Sequence, residues 1–205
     1  MHVLEIYATI NGELPHIGTP TSVLRLAGCN LECAYCDAPT EGSYELNNKE
    51  IFEKLLALGH RRVLITGGEP LLQMTELLQL LAVLAHAEFE VLIETNGTLL
   101  IEKVIPYAGI ALDVKLFDLA SFKLENLMYL NPEDALKFVY SGQDELTTAF
   151  EFINANVPLG APYMVVFSPT DPSHCYMNDI LAFHQAHPFM DVRLQAQMHK
   201  VLGVA

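Results

Sequence analysis

A chain of 205 residues, 51% of them apolar and 18% charged, is long enough to bury a core and too apolar for a disordered polyampholyte. Its 11 Lys and Arg face 25 Asp and Glu, for a formal net charge of −14, and Arg61–Arg62 is the one adjacent basic pair, so the basic clusters that grip nucleic-acid phosphates are missing. No apolar run approaches the roughly 18–20 residues of a membrane span, and the opening MHVLEIYATI lacks the marks of a secretory signal; a cytoplasmic protein of one domain, residues 1–205, is expected.

Val23–Ala27 reads as a strand running into a cysteine-rich loop. Asn48–Leu58 has helical spacing, with Asn47 or Asn48 as N-cap and Gly59 as the stop. Arg62–Thr66 reads as a buried strand, GGEP at Gly67–Pro70 as a turn, Leu71–Ala87 as a helix, and Glu90–Glu94 as a strand ending in TNG. Ile110–Lys115, Ala135–Val139, Pro162–Phe167 and Asp191–Gln195 continue the strands, with helices over Asp144–Asn154 and Asn178–His187. Such alternation predicts an α/β fold of parallel β/α units. About six units make a partial (β/α) barrel, since a closed eightfold one takes about 250 residues. The turns after the strands carry GGEP, TNG and SPTDP, and parallel β/α proteins build their sites at the carboxyl ends of strands.

The densest chemistry is GCNLECAYCD, Gly28 to Asp37, where Cys29, Cys33 and Cys36 stand in C-x3-C-x2-C spacing. A disulfide uses cysteines in pairs, and structural zinc wants four ligands, for which Cys175 and His174 lie far along the chain. Inert core thiols are the plainest alternative, although a glycine-led loop is a poor match to core periodicity. An iron–sulfur cluster fits the triplet best. Three thiolates leave one iron of a cubane open to a small molecule, and Tyr35 inside the second gap could flank a cofactor.

These residues resemble the radical S-adenosylmethionine superfamily, whose signature joins C-x3-C-x2-C to a later strand with GGEP. Within it, Glu5–Asn30 (EIYATINGELPHIGTPTSVLRLAGCN), Lys137–Leu146 (KFVYSGQDEL) and Arg193–Ala205 (RLQAQMHKVLGVA) are similar to the 7-carboxy-7-deazaguanine synthase family. The resemblance implies a 4Fe-4S cluster on Cys29, Cys33 and Cys36, with S-adenosylmethionine chelated by the open iron. It implies contraction of 6-carboxy-5,6,7,8-tetrahydropterin to 7-carboxy-7-deazaguanine with loss of ammonia, towards queuosine. Substrate contacts map onto Ile10, Asn11, Gly12, Glu13, Arg25, Thr66, His199 and Ala205. Cofactor contacts map onto Tyr35, Asp37, Gly68, Glu69, Asn96, Asp113, Lys115, Ser168, Pro169, Thr170 and Asp171. An outside reductant such as flavodoxin and a homodimer are implied too.

The residues support some of this independently. The Arg25 fork suits a carboxylate, the GGEP glycines allow close backbone approach, and Glu69 could accept from an ammonium. Simpler roles stay open: Arg25 and Lys115 pairing with acids, Thr66 and Asn96 ending strands, His199 structural. Two positions depart from the pattern. Ala38 stands where a hydroxyl usually ligates magnesium, leaving Asp37 or Thr40 as the nearby oxygen donors, and NGEL replaces QGEG, so that Leu14 is expected to narrow a spot usually open. The alternatives are a divergent homologue acting on a related pterin or purine, a glycyl-radical-enzyme activase, or a non-enzymatic iron–sulfur or zinc module.

Overall fold

The computed structural model describes residues 1–36, 42–196 and 198. Strand β1 (His2–Ile10) pairs antiparallel with β2 (Pro20–Leu26) and with the short β3 (Tyr44–Glu45). From β2 onward every pairing is parallel, through β4 (Arg62–Gly67), β5 (Glu90–Thr95), β6 (Gly109–Val114), β7 (Ala135–Tyr140), β8 (Met164–Pro169) and β9 (Asp191–Leu194). The order β3-β1-β2-β4-β5-β6-β7-β8-β9 runs from edge to edge without hydrogen-bonded closure. The partial barrel expected from the sequence is therefore present, with six parallel crossovers from β2 to β9. Strand β1 was not anticipated, and its Val3, Ile6, Tyr7 and Ile10 are the β-branched and aromatic signal for it.

Four crossovers contain an α-helix: α1 (Asn48–Leu58), α2 (Met74–His86), α3 (Gln143–Asn156) and α4 (Met177–Ala186). Helix α1 begins at a capping box. The Asn47 side chain accepts from the Glu50 N–H at 3.0 Å, and the Asn47 N–H donates to the Glu50 carboxylate at 2.8 Å. Gly59 ends it at φ +78°. Helix α2 starts later than the sequence suggests, because Glu69 and Pro70 set up a 3-10 turn over Pro70–Gln73 first.

The crossovers β5–β6 and β6–β7 have no α-helix, only turns and a 3-10 segment at Leu124–Met128. Fully buried Asn126 binds their backbones together. Its amide nitrogen donates to the Gly97 and Leu99 carbonyls at 3.2 and 2.9 Å, and its oxygen accepts from the Ile101 N–H at 3.1 Å.

Period-2 alternation gives the sheet two different faces. Leu24, Leu26, Ile65, Ile93, Leu112, Phe138 and Phe167 join the core shared with the helices. The inner face carries two apolar patches: Val23, Leu64, Leu92 and Ala111, and beside them Ala135, Met164 and Val166. Asn126→Ala should leave the Leu99 carbonyl and the Ile101 N–H without their partner, while the Gly97 carbonyl keeps the Lys123 N–H, and cost about 2–4 kcal/mol, read as a lowered denaturation midpoint with unchanged slope.

Candidate active site

One step of alternation above these apolar residues, β2, β4, β5, β6 and β7 each turn a polar side chain inward: Arg25 above Val23, Thr66 above Leu64, Glu94 above Leu92, Asp113 above Ala111, Lys137 above Ala135. Together with the cysteine loop they line a cavity of ≈ 440 Å³ at the carboxyl ends of the parallel strands, where such folds place ligands. Ile10, Asn11, Gly12, Glu13, Arg25, Thr66, Cys29, Cys33, Tyr35, Cys36, Gly68, Asn96, Asp113, Lys115 and Thr170 all border it. Asp37, Thr40, His199 and Ala205 lie outside the described residues.

Four of the residues marked for the cofactor do not border the cavity. Asp171 is exposed and caps a 3-10 turn through the Ser173 N–H at 2.8 Å. Ser168 and Pro169 are buried at the end of β8. Glu69 is fully buried, and its carboxylate accepts from the Leu71 N–H (3.0 Å), the Thr95 hydroxyl (2.8 Å) and the Asn96 N–H (2.7 Å). In this geometry it binds GGEP to the end of β5. Burial holds the Glu69 carboxyl above its ordinary value of 4.5, against the pull of those three donors.

The GGEP glycines make a close backbone approach. A Cβ on Gly67, whose φ is +125°, would lie 2.1 Å from the Leu26 carbonyl oxygen, and one on Gly68 would lie 1.9 Å from that of Gly28. The Gly68 and Glu69 N–H groups donate to these same carbonyls at 2.9 and 2.8 Å. The close approach is thus to the backbone at the end of β2 and the start of the cysteine loop, with Gly68 also on the cavity.

Cys29 and Cys36 are exposed and Cys33 is half-buried. Burial pushes the Cys33 thiol up, Lys115 opposes this, and Cys29 and Cys36 add to the rise. Among the described residues no three His, Cys, Asp or Glu side chains converge as ligands of a single metal ion. Asn96 ties the end of β5 to the cysteine loop. Its amide nitrogen donates to Asn30 Oδ1 at 3.0 Å and lies 4.0 Å from Cys29 Sγ, while its oxygen accepts from the Thr98 N–H and hydroxyl.

Lys115 pairs with Asp113 at 2.8 Å and lies 5.4 Å from the Tyr35 ring centre. Burial would lower the Lys115 ammonium, but the Asp113 carboxylate outweighs it and the group sits above its ordinary value. Burial pushes the Tyr35 phenol up to about 12. Tyr35 Oη, Asp113 Oδ1 and Ser168 Oγ are buried without a hydrogen-bond partner among the described residues. Such atoms are costly to leave unpaired. Those of Tyr35 and Asp113 belong to cavity-lining residues beside the thiols, which suits a polar cofactor there. Arg25 donates to Glu5 at 3.2 Å and to the Tyr7 hydroxyl at 3.0 Å, so the acid-pairing alternative holds for a residue that also borders the cavity.

Leu14 does not narrow the cavity: it packs on Ala135, Met164 and Val166, and its N–H donates to the Gln195 side chain at 2.6 Å. Two site residues escaped the sequence reading, Glu94 and Lys137. Glu94 Oε2 accepts from the Thr66 hydroxyl at 2.7 Å, and the Lys137 ammonium forms an ion pair with Glu13. Each is the lone charge among apolar residues, in VLIET and ALKFVY, and a charge at such a place demands a partner.

Residues 23–152 match the Radical SAM superfamily. A 7-carboxy-7-deazaguanine synthase of Koribacter versatilis is 35% identical over 98% of this chain and 96% of its own length. This chain belongs to the 7-carboxy-7-deazaguanine synthase family of radical SAM proteins. Another member, from Methanospirillum hungatei, is 34% identical over 100% of this chain and 86% of its own length. The crystal structure of QueE from Escherichia coli superposes with a TM-score of 0.75 at 22% identity, covering 96% and 93% of the two chains, which shows a shared fold. Membership in the radical SAM superfamily implies a 4Fe-4S cluster and S-adenosylmethionine and sets the disulfide, zinc and inert-thiol alternatives aside.

Gly68→Ala should cost more than about 3 kcal/mol, because backbone, not a flexible side chain, occupies the space; soluble yield and thermal midpoint read this. For Glu69, an acid raised in the folded state binds its proton more tightly there than when unfolded, so its contribution to stability falls as pH rises from 4.5 through the folded value. Relative to Glu69→Gln, the parent should therefore gain stability as pH is lowered towards 4.5, measured by paired denaturant titrations.

Proposed function

We propose that this protein is a 7-carboxy-7-deazaguanine synthase, contracting 6-carboxy-5,6,7,8-tetrahydropterin to 7-carboxy-7-deazaguanine with release of ammonia, in queuosine biosynthesis. The observation that carries the reading is one cavity bordered at once by Cys29, Cys33 and Cys36, by the Arg25 guanidinium and by the Glu13 and Glu94 carboxylates. The thiols suit the cluster, the guanidinium suits the substrate carboxylate, and the acids suit the N–H edge of a pterin.

Cys29, Cys33 and Cys36 would hold the 4Fe-4S cluster. When bound there, S-adenosylmethionine supplies a 5′-deoxyadenosyl radical that abstracts a substrate hydrogen. Tyr35, Gly68, Asn96, Asp113, Lys115 and Thr170 would orient the cofactor, with Lys115 held by Asp113 beneath the Tyr35 ring. Ile10, Asn11, Gly12, Glu13 and Thr66 would contact substrate. Asp37, His199 and Ala205 take their roles from the family pattern alone. The chain's contribution is chiefly position and exclusion of water.

Three further assignments belong to this proposal: an outside reductant of the flavodoxin kind, a homodimer, and the handling of magnesium. A methyl group at Ala38 cannot ligate Mg²⁺, which leaves Asp37, Thr40, substrate and water to hold any ion. Turnover is therefore expected to be equal with and without added Mg²⁺.

The test is anaerobic reconstitution with iron and sulfide, then turnover with carboxytetrahydropterin, S-adenosylmethionine and reductant. The expected outcome is 7-carboxy-7-deazaguanine with methionine, abolished by Cys29→Ala, Cys33→Ala or Cys36→Ala together with loss of bound iron. S-adenosylmethionine cleavage without a deazapurine product would reject this substrate. Arg25→Met should raise KM at least tenfold, as expected for a charge-assisted pair worth about 1.5–3 kcal/mol.

A further inference from the structure

Lys137 stands in the middle of β7 with its residue 6% exposed, between inward-facing Ala135 and Val139. A buried ammonium costs several kcal/mol unless it is paired, and an apolar side chain of similar volume usually serves a fold as well or better. Stability alone does not explain a lysine there. Its partner is Glu13, whose side chain is 13% exposed. Glu13 lies in the loop after β1, outside regular structure, and that loop is pinned through its backbone. The Glu13 N–H donates to Asn11 Oδ1 at 3.0 Å, and the Leu14 N–H to Gln195 at 2.6 Å. The ion pair to β7 fixes where the acid end points.

The groups around Lys137 are charged as a set. Glu13 comes from the loop after β1, Glu94 from β5, Asp113 from β6, and Lys115 follows β6. Among the described residues, three carboxylates thus meet two ammonium groups. Arg25, paired with Glu5, stands on β2, four places from β7 in the strand order. The cavity is bipolar: a guanidinium on one wall and surplus carboxylate towards the other. Burial holds the Glu94 carboxyl above its ordinary value while Lys137 pulls it down, so the lysine also governs how acidic that wall is.

We infer that Lys137 is a positioning residue that acts through Glu13, holding its carboxylate in the cavity to receive the N–H-rich edge of a bicyclic heterocycle whose own carboxylate lies towards Arg25. The inference rests on the pterin reading proposed above.

The test is a fluorescence titration with 6-carboxypterin on the anaerobically reconstituted protein with S-adenosylmethionine present. It runs as a cycle of the parent, Lys137→Met, Glu13→Gln and the double variant. Each single change is expected to weaken binding about tenfold, an energy of about 1.4 kcal/mol, and the double to bind no worse than the weaker single. Losses that multiply in the double variant, or a Lys137→Met protein that binds like the parent, would overturn the inference. Because Lys137→Met also strips one cation from the buried set, the cycle is repeated in a Glu94→Gln background, where one carboxylate leaves with it. Persistence of the Lys137 effect there supports positioning; recovery to the level of Glu94→Gln alone reassigns Lys137 to charge balance and overturns it. A parent that does not bind the probe removes the pterin reading itself, and the inference with it, before any variant is compared.

Discussion

The carbonyls of Leu26 and Gly28 accept the N–H groups of Gly68 and Glu69, and at that contact neither Gly67 nor Gly68 has room for a Cβ. Much of the site depends on this approach of two main chains. It sets the depth of the cysteine loop relative to β4, and through the three hydrogen bonds on Glu69 it carries that setting to the end of β5. Asn96, next along, reaches back to Asn30 and the Cys29 sulfur. The loop that presents the thiols is thereby referenced to three successive elements, although among its described residues only Cys36 and Cys33 are linked by a backbone bond within it. Backbone contacts of this kind are stiffer than side-chain ones, since no rotamer can relax them.

The second organising constraint is the difference between the two faces of the sheet. Outside, large aliphatic and aromatic side chains pack against helices; inside, polar and charged groups stand one alternation step above small apolar ones. An open sheet makes this possible. A closed eightfold barrel fills its interior with layers of branched side chains, whereas this one stops at β9 and leaves the inner face available. Charges there are tolerable because most come in pairs, Lys115 with Asp113 and Lys137 with Glu13, while Glu94 accepts from the Thr66 hydroxyl.

Much of the architecture was legible in the sequence. The alternation of apolar runs with amphipathic segments located the parallel strands and the α-helices, and the glycine-rich turns marked the correct end of the sheet. What escaped has physical reasons. Strand β1 has mixed exposure on both faces, so it lacks the clean alternation of a half-buried strand. Glu94 and Lys137 sit inside runs that read as buried strand, where apolar content dominates and a single charge is easily passed over. Glu69 is read from the sequence as an acceptor for an ammonium; only the fold shows its carboxylate meeting three donors of the chain itself. Leu14 was given a position in the cavity that depends on how the loop after β1 turns, and loop path is the feature least fixed by local sequence.

The join between Leu14 and Gln195 spans 181 residues, and the Gly12 carbonyl accepts from the Met198 N–H nearby. During synthesis on the ribosome the loop carrying Glu13 therefore emerges well before the segment that fastens it. The thiol triplet, by contrast, finds its GGEP and TNG neighbours within the one stretch from Cys29 to Gly97. Assembly of the centre is thus split in time: the sulfur end can be organised early, while the opposite wall waits for a contact of very long range, which forms late for reasons of chain entropy.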